Sequence, residues 1–284
     1  MLKDELLIDF EKNRGVPISG QTLADIHHVS RNAVWKAVNS LKEEGYEILS
    51  FRNKGYYIPK ESDVLSAEAI RLSFDDTALK NIEIEVFDSV DSTNTEAKRQ
   101  LISDQITFPK LILANEQTAG RGRIGKSFYS PKNSGIYMSL VYHLEKPLQR
   151  AELVTLAAAV AVVRTLQPYI SEKLRLKWVN DIFIGDRKIC GILSEAVSDL
   201  EMGQIQNIVV GIGINLKTVE FPKELKSIAG SAGLDHMNRN EVIARLTNEL
   251  CRLYRNVEDT SFMKEYLEHA IDISLVPEEI RAMV

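Results

Sequence analysis

The sequence predicts an α+β protein in two parts: a small helical unit closed by a β-hairpin, and a central mixed-sheet α/β domain. Three observations predict it. Apolar residues recur at helical spacing through the first 45 residues. Two short β-prone runs follow around Arg52-Asn53-Lys54. Beyond about residue 80, apolar runs of strand length interleave with helical ones in a chain of 284 residues, enough for two domains.

The first helix carries Leu2, Leu6, Leu7 and Phe10 on one face and ends before Gly15 and Pro17. A short helix over 22–27 buries Leu23 and Ile26. Ser30 is placed to cap a third helix, with Val34, Val38 and Leu41 inward and Gly45 as its stop. Residues 46–50 and 55–58 form the hairpin. Helix, helix, turn, helix and hairpin make a winged helix-turn-helix over residues 1–60. Residues 59–63 are polar and read as linker, and Ser66 caps a short helix through Phe74, so 61–80 joins the two parts. The central domain, 81–270, opens with a strand carrying Ile82, Ile84 and Val86. A helix over 93–102 follows, with Thr93 and Glu96 at capping-box spacing. Strands are predicted at 111–114, 136–143, 174–179, 182–184, 188–197 and 205–216, with a buried helix at 150–166 and helices at 241–256 and 262–269. The turn at Gly185-Asp186 between adjacent strands predicts hairpins, so the sheet is mixed. Residues 271–284 form a short tail.

Hydrophobic residues make up 44% of the chain and charged residues 26%, an ordinary globular balance. A net charge of −5 means that any nucleic-acid contact must come from a local patch. The longest apolar stretch, 153–163, is too short to span a bilayer, and the first residues lack the layout of a signal peptide. Cys190 and Cys251 make neither a disulfide framework nor a metal cluster. His27, His28, His143, His236 and His269 are scattered without ligand spacing, so no protein-held metal is expected. A cytoplasmic protein without membrane contact is the expectation.

The chemistry concentrates in Gly120-Arg121-Gly122-Arg123-Ile124-Gly125-Lys126-Ser127-Phe128. The glycines formally fit the dinucleotide fingerprint, and Gly120, Gly125, Lys126 and Ser127 fit the P-loop. Both patterns need a helix directly after the loop, to hold phosphate at its N-terminus. Pro131 and Gly135 break such a helix here. Three cations among glycines instead predict a loop that wraps a polyphosphate.

This loop resembles the adenylate-binding loop of biotin–protein ligases. Asp91-Ser92-Thr93-Asn94 is similar to the family's biotin-contacting turn, and Gln117 precedes the loop at the family's spacing. Lys177-Trp178-Val179-Asn180-Asp181, Arg187-Lys188-Ile189-Cys190-Gly191 and Gly211-Ile212-Gly213-Ile214-Asn215 follow in the family's order. With the winged helix ahead of them, these motifs make the chain similar to the bifunctional ligases that also repress biotin synthesis. Lys126, Phe128 and Val179 depart from the usual arginine, tryptophan and proline.

The resemblance implies ATP-dependent activation of biotin to biotinyl-5′-AMP and its transfer to a lysine of a biotin-carrier protein, such as an acetyl-CoA carboxylase subunit, with Mg²⁺ accompanying ATP. It implies catalytic roles for Arg121, Arg123, Lys188 and Asp181. Biotin contacts fall to Ser92, Thr93, Asn94, Gln117, Arg121, Gly122, Arg123, Lys188 and Gly191. Lys126, Phe128, Asn180 and Asn215 fall to the adenylate. Read from the residues alone, Lys188 is more simply an exposed strand lysine, Asp181 is equally a turn residue, Asn94 can be only a turn former, and Asn180 and Asn215 strand ends. Gly211 and Gly213 read as packing glycines, and Trp178 as core.

Residues 31–60 hold six basic residues against three acidic ones, a balance of +3. Ser30, Arg31, Asn32, Trp35, Lys36 and Asn39 on the third helix, with Arg52 and Lys54 in the wing, are the expected contacts to operator DNA. The resemblance implies a homodimer when adenylate is bound. It also implies a small all-β C-terminal domain, for which the residues beyond 270 leave no room.

Overall fold

The computed structural model describes residues 1–103, 109–144, 150–198, 205–218 and 220–283. They form two compact units, 1–74 with 238–244, and 75–237 with 245–284.

In the first unit, α1 (Leu2–Lys12), α2 (Gly20–Ile26) and α3 (Arg31–Glu43) bury Leu6, Leu7, Phe10, Leu23, Val34, Val38 and Leu41 against Ile48 and Ile58. Hydroxyls start the second and third helices: Ser19 Oγ accepts from Thr22 N, and Ser30 Oγ from Ala33 N. The wing is β1 (Leu49–Phe51) paired antiparallel with β2 (Gly55–Tyr57). Its strands are shorter than expected, because Tyr46 N instead donates to Leu41 O behind α3. Gly55 has φ +120°, and a Cβ there would stand 1.9 Å from Ile18 O, so only glycine fits where the wing crosses the strand-like Ile18.

Ser66 caps α4 (Ala67–Leu72) as expected, accepting from Ala69 N. The stretch before it is not a free linker. Asp63 is clamped by Arg239, whose Nε lies 2.8 Å from Asp63 Oδ2 and whose side chain is 2% exposed. Asn240 Nδ2 donates to Val64 O, and Ser66 N donates to Asn240 Oδ1. These partners lie about 175 residues further along the chain, so local polarity alone pointed to solvent. The unit therefore runs past residue 60 to Phe74.

The second unit is built on a seven-stranded sheet: β3 (Glu83–Val90), β4 (Lys110–Gln117), β5 (Ile136–His143), β6 (Arg175–Lys177), β7 (Asp181–Ile184), β8 (Arg187–Ser198) and β9 (Ile205–Ile214). The order is β3-β4-β5-β9-β8-β7-β6, with only the β3–β4 pair parallel. The sheet is mixed, and β7 and β8 form the hairpin predicted at Gly185. β6 is shorter than expected, because residues 178–180 turn out of the sheet and Asn180 Nδ2 donates to Ile192 O on β8. The Trp178–Val179 peptide is cis.

The second unit also holds α5 (Thr93–Ile102), α6 (Glu152–Leu166), α8 (Met263–His269) and α9 (Glu278–Arg281), and α7 (Arg239–Tyr254) begins in the first unit and continues in the second from residue 245. α6 is apolar on nearly all sides and almost wholly buried, the core helix that its composition predicts. The capping box expected at Thr93 does not form. Ser92 holds the N-cap position without a side-chain bond, and Thr93 is the first helical residue. Its hydroxyl is held by Ser139 and Gln117 instead.

Candidate active site

Each predicted ligase motif ends at one open cavity of about 990 Å³ in the second unit, a size that suits a substrate of biotin or nucleotide dimensions. Ser92, Thr93, Asn94, Gln117, Arg121, Gly122, Arg123, Lys126, Phe128, Asn180, Asp181, Lys188, Gly191 and Asn215 all line it. Residues from five stretches of chain converge because β4, β5, β9 and β8 lie side by side and present their ends to the same face.

The basic loop is a small hairpin. Phe128 N donates to Gly120 O at 2.9 Å and Gly122 N to Lys126 O at 2.7 Å. No helix follows it, which removes both phosphate-binding alternatives that its glycines formally allow. At its tip Ile124 has φ 54° and ψ 48° and is 93% exposed, a left-handed conformation rare for a β-branched residue. Arg123 Nη1 reaches Asn180 Oδ1 at 3.4 Å, linking the loop to the turn after β6.

Two glycines admit the side chains that shape the floor. A Cβ at Gly213 would stand 2.5 Å from Phe128 Cε1, so the Phe128 ring lies directly on β9. A Cβ at Gly211 would fall 2.0 Å from Asn94 Oδ1. Both act as packing glycines, and what they pack is the site itself.

At the floor, Gln117 Oε1 accepts from Thr93 N at 2.9 Å, and Gln117 Nε2 donates to Ser130 Oγ at 2.9 Å. Asn94 is 4% exposed, and its amide reaches Leu193 O, Glu195 Oε2 and Ser139 Oγ. It therefore does more than shape a turn. Asp91 turns the chain by accepting from Ser92 N at 2.8 Å. The Arg99 guanidinium, within 2.5 Å of Asp91 Oδ2, holds that carboxyl below the usual carboxylate range.

On the opposite wall Lys188 Nζ lies 2.6 Å from Asp181 Oδ1. A Cβ at Gly191 would be 3.2 Å from Lys188 Nζ, so the lysine arches over that glycine. Asn215 is 4% exposed. Its Nδ2 donates to Gly230 O, and its Oδ1 is buried with no hydrogen-bond partner among the described residues. Trp178 packs edge-on against Tyr266, with centroids 6.3 Å apart, and does not line the cavity. Cys190 is fully buried, and desolvation drives its thiol pKa upward.

The segment 221–229 also walls the cavity through Phe221, Leu225, Ile228 and Ala229. It is tied to Lys188 by Lys188 N donating to Ile228 O and Gly230 N to Lys188 O. Its sequence carries no motif, so it was not foreseen. Ser139 and Glu195 were missed too. Each was signalled only as a polar residue inside an apolar strand.

In the first unit Arg31, Asn32, Trp35 and Lys36 are exposed on α3, with Asn39 half-buried beside them. Ser30 serves as the helix cap. Arg52 and Lys54 project from the wing, and Lys54 Nζ lies 4.8 Å from the Phe51 ring centroid. Arg31, Lys36, Arg52 and Lys54 make no ion pair with a described residue, which leaves their charge for a polyanion.

Comparison with known proteins agrees with this geometry. Residues 86–215 match the biotin/lipoate A/B protein ligase family, and residues 4–57 match a helix-turn-helix domain. The chain is 36% identical over 232 residues to the bifunctional ligase/repressor BirA of Bacillus spizizenii, covering 81% of this chain and 70% of that protein. It is 30% identical over 239 residues to the bifunctional ligase/repressor BirA of Escherichia coli, again covering 70% of the relative. In fold it is similar to the biotin protein ligase of Aquifex aeolicus solved with biotin and ATP. That match has a TM-score of 0.56 at 24% identity, over 66% of this chain and 78% of the other. The chain belongs to the biotin/lipoate A/B protein ligase family, among its bifunctional ligase/repressors.

Proposed function

We propose that this chain joins biotin to ATP and passes the biotinyl group to a lysine of a carrier protein, while its winged helix binds operator DNA. One observation carries the reading: three loop cations and Lys188 converge on one cavity whose floor is a buried amide and hydroxyl network. In the first step a carboxylate oxygen of biotin attacks the α-phosphorus of ATP, forming biotinyl-5′-AMP and releasing pyrophosphate. In the second the carrier lysine attacks the acyl carbon, AMP leaves and the amine loses a proton.

Both steps crowd negative charge, so preplaced cations are the main catalytic requirement. Arg121, Arg123 and Lys126 face the phosphates. Lys188 holds the biotin carboxylate and then the developing charge on the acyl oxygen, after exchanging Asp181 for it. Asp181, released, orients the carrier lysine and accepts its proton. Ser92, Thr93, Asn94 and Gln117 serve the ureido end, with Gly122 and Gly191 allowing close approach. Phe128, Asn180 and Asn215 serve the adenylate, where Asn215 Oδ1 is an acceptor in want of a donor such as the adenine amino group.

Among the described residues no group of three or more His, Cys, Asp or Glu side chains could hold a metal. Mg²⁺ fits this site only as the companion of ATP, where it neutralises phosphate charge. No helix of the described residues is long and apolar enough to cross a membrane.

Incubation with biotin, Mg-ATP and a biotin-carrier domain, followed by mass spectrometry of the carrier, tests the ligase reading. An unmodified carrier together with absent biotin-dependent pyrophosphate exchange refutes it. One winged helix covers one half-site, so tight operator binding calls for a homodimer favoured by biotinyl-AMP, which then represses biotin-synthesis genes. Biotin plus ATP, and neither alone, should raise both dimer fraction and operator affinity. Sedimentation and DNA-shift assays on the same samples check this.

A further inference from the structure

The β6–β7 hairpin brings a cation without a partner beside an acid that has only one. β6 ends at Lys177 and β7 begins at Asp181, and the two stand directly opposite each other in the antiparallel register. Directly opposed residues project to the same face of a sheet, with Cα atoms about 4.5–5.5 Å apart. Here that face is the cavity, which both residues line. Lys177 is exposed and makes no hydrogen bond or ion pair with a described residue. Asp181 depends on Lys188, whose Nζ lies 2.6 Å from Asp181 Oδ1. That oxygen is buried and has no aligned hydrogen-bond donor among the described residues, so the charge of Lys188 is what compensates it. The pair is neutral, +1 from Lys188 against −1 from Asp181.

A biotin carboxylate at Lys188 changes this balance. Whether it displaces Asp181 or shares the ammonium with it, the wall then holds two carboxylates to one lysine, and its charge falls from 0 to −1. A half-buried carboxylate without a counter-charge is costly. The loop cations Arg121, Arg123 and Lys126 face the phosphates. Lys177 is the spare cation on this wall, and its flexible four-carbon stem lets the ammonium reach the opposed carboxylate without movement of the backbone. Asp186, which also lines the cavity, is held by Arg175 at 3.2 Å and does not compete for Lys177.

We propose that Lys177 is a positioning residue that takes up Asp181 when biotin engages Lys188, so that the wall admits a second carboxylate without gaining net charge. The inference rests on the biotin reading above, which gives Lys177 no role. Lys177 acts through Asp181 and not on the reacting atoms.

Biotin-dependent pyrophosphate exchange with the full chain tests this, because it reads the first step without the carrier. Wild type is compared with Lys177→Met, Lys177→Arg, Asp181→Asn and Lys177→Met/Asp181→Asn. Lys177→Met should raise KM for biotin about fivefold, the scale of one partly exposed ion pair, with KM for ATP within about twofold. Lys177→Arg keeps the charge and should hold KM for biotin within about twofold of wild type. Asp181→Asn removes the carboxylate that needs a new partner, so adding Lys177→Met to it should change KM for biotin by less than about twofold. An unchanged KM for biotin in Lys177→Met overturns the proposal, and so does the same rise in the Asp181→Asn background. A rise that falls equally or mainly on ATP also overturns it and makes Lys177 a phosphate ligand. If Asp181→Asn does not fold, equal losses for biotin in Lys177→Met and Lys177→Arg overturn it instead. Wild type that shows no biotin-dependent exchange refutes the ligase reading itself, a different outcome from any of these.

Discussion

Lys188 on β8 and Asp181 at the start of β7 meet across the cavity wall, Nζ to Oδ1, at 2.6 Å. The pair is about three-quarters buried, so each charge depends on the other for solvation. A substrate carboxylate entering the cavity must replace Asp181 at Lys188. The exchange moves one carboxylate for another at the same ammonium, so Lys188 stays paired throughout while Asp181 is left to find a new partner.

Lys188→Ala is expected to cut biotin-dependent pyrophosphate exchange about a hundredfold or more, a loss of about 3 kcal/mol of transition-state stabilisation. Circular dichroism should show an intact fold, since the lysine packs over Gly191 and is not part of the core. Near-normal exchange would remove Lys188 from the mechanism.

Arg123→Ala should shorten the residence of biotinyl-AMP more than it weakens biotin alone. Arg123 approaches Asn180 Oδ1 from the basic-loop side of the cavity, where phosphate and not the ureido ring is expected. Dissociation of the two ligands, measured side by side, checks this, and equal losses would contradict the assignment.

The two cysteines predict an alkaline limit to stability. Burial raises both thiol pKa values, that of Cys251 to about 12, against an unfolded value of 9.0. The folded state thus keeps protons that the unfolded state loses. This contribution to stability is fully present below pH 9.0 and is lost as pH rises through that value toward the folded pKa. Each thiol should lower the unfolding free energy by about 1.4 kcal/mol per pH unit across that window. Urea melts between pH 8 and pH 11 measure the slope, and Cys251→Ser should reduce it.

In the first unit, Lys54→Ala should lower the slope of log affinity against log salt by about one without altering the ligase reaction. A salt titration of operator binding decides this. An unchanged slope would place Lys54 off the phosphates.

The local patterns were largely legible. Ser30 and Ser66 announce their helices, α6 shows its burial in composition alone, and the turn at Gly185 marks the β7–β8 hairpin. The site residues were legible through the motifs in which they stand, and they share one cavity. What local sequence does not encode is long-range polar pairing. Asp63 reads as solvent-exposed until Arg239 folds onto it. Thr93 reads as a cap until Ser139 and Gln117 claim its hydroxyl. Glu195 reads as a stray charge on a strand, because Asn94 and Lys98 lie about a hundred residues earlier. Strand ends failed for a related reason: the residue 178–180 turn is drawn from the sheet by Asn180, whose partner carbonyl belongs to β8.

The contact between Gly213 and Phe128 makes the width of this site adjustable by exchange of bulk. The aromatic ring fills the volume that any larger residue at 213 would need, so strand and loop divide a fixed space between them. Trimming Phe128 to leucine while keeping Gly213 leaves a hole that an enlarged ligand can fill and the natural one cannot. The chain thereby offers a lock that can be recut for a synthetic key, with the backbone of β9 left untouched.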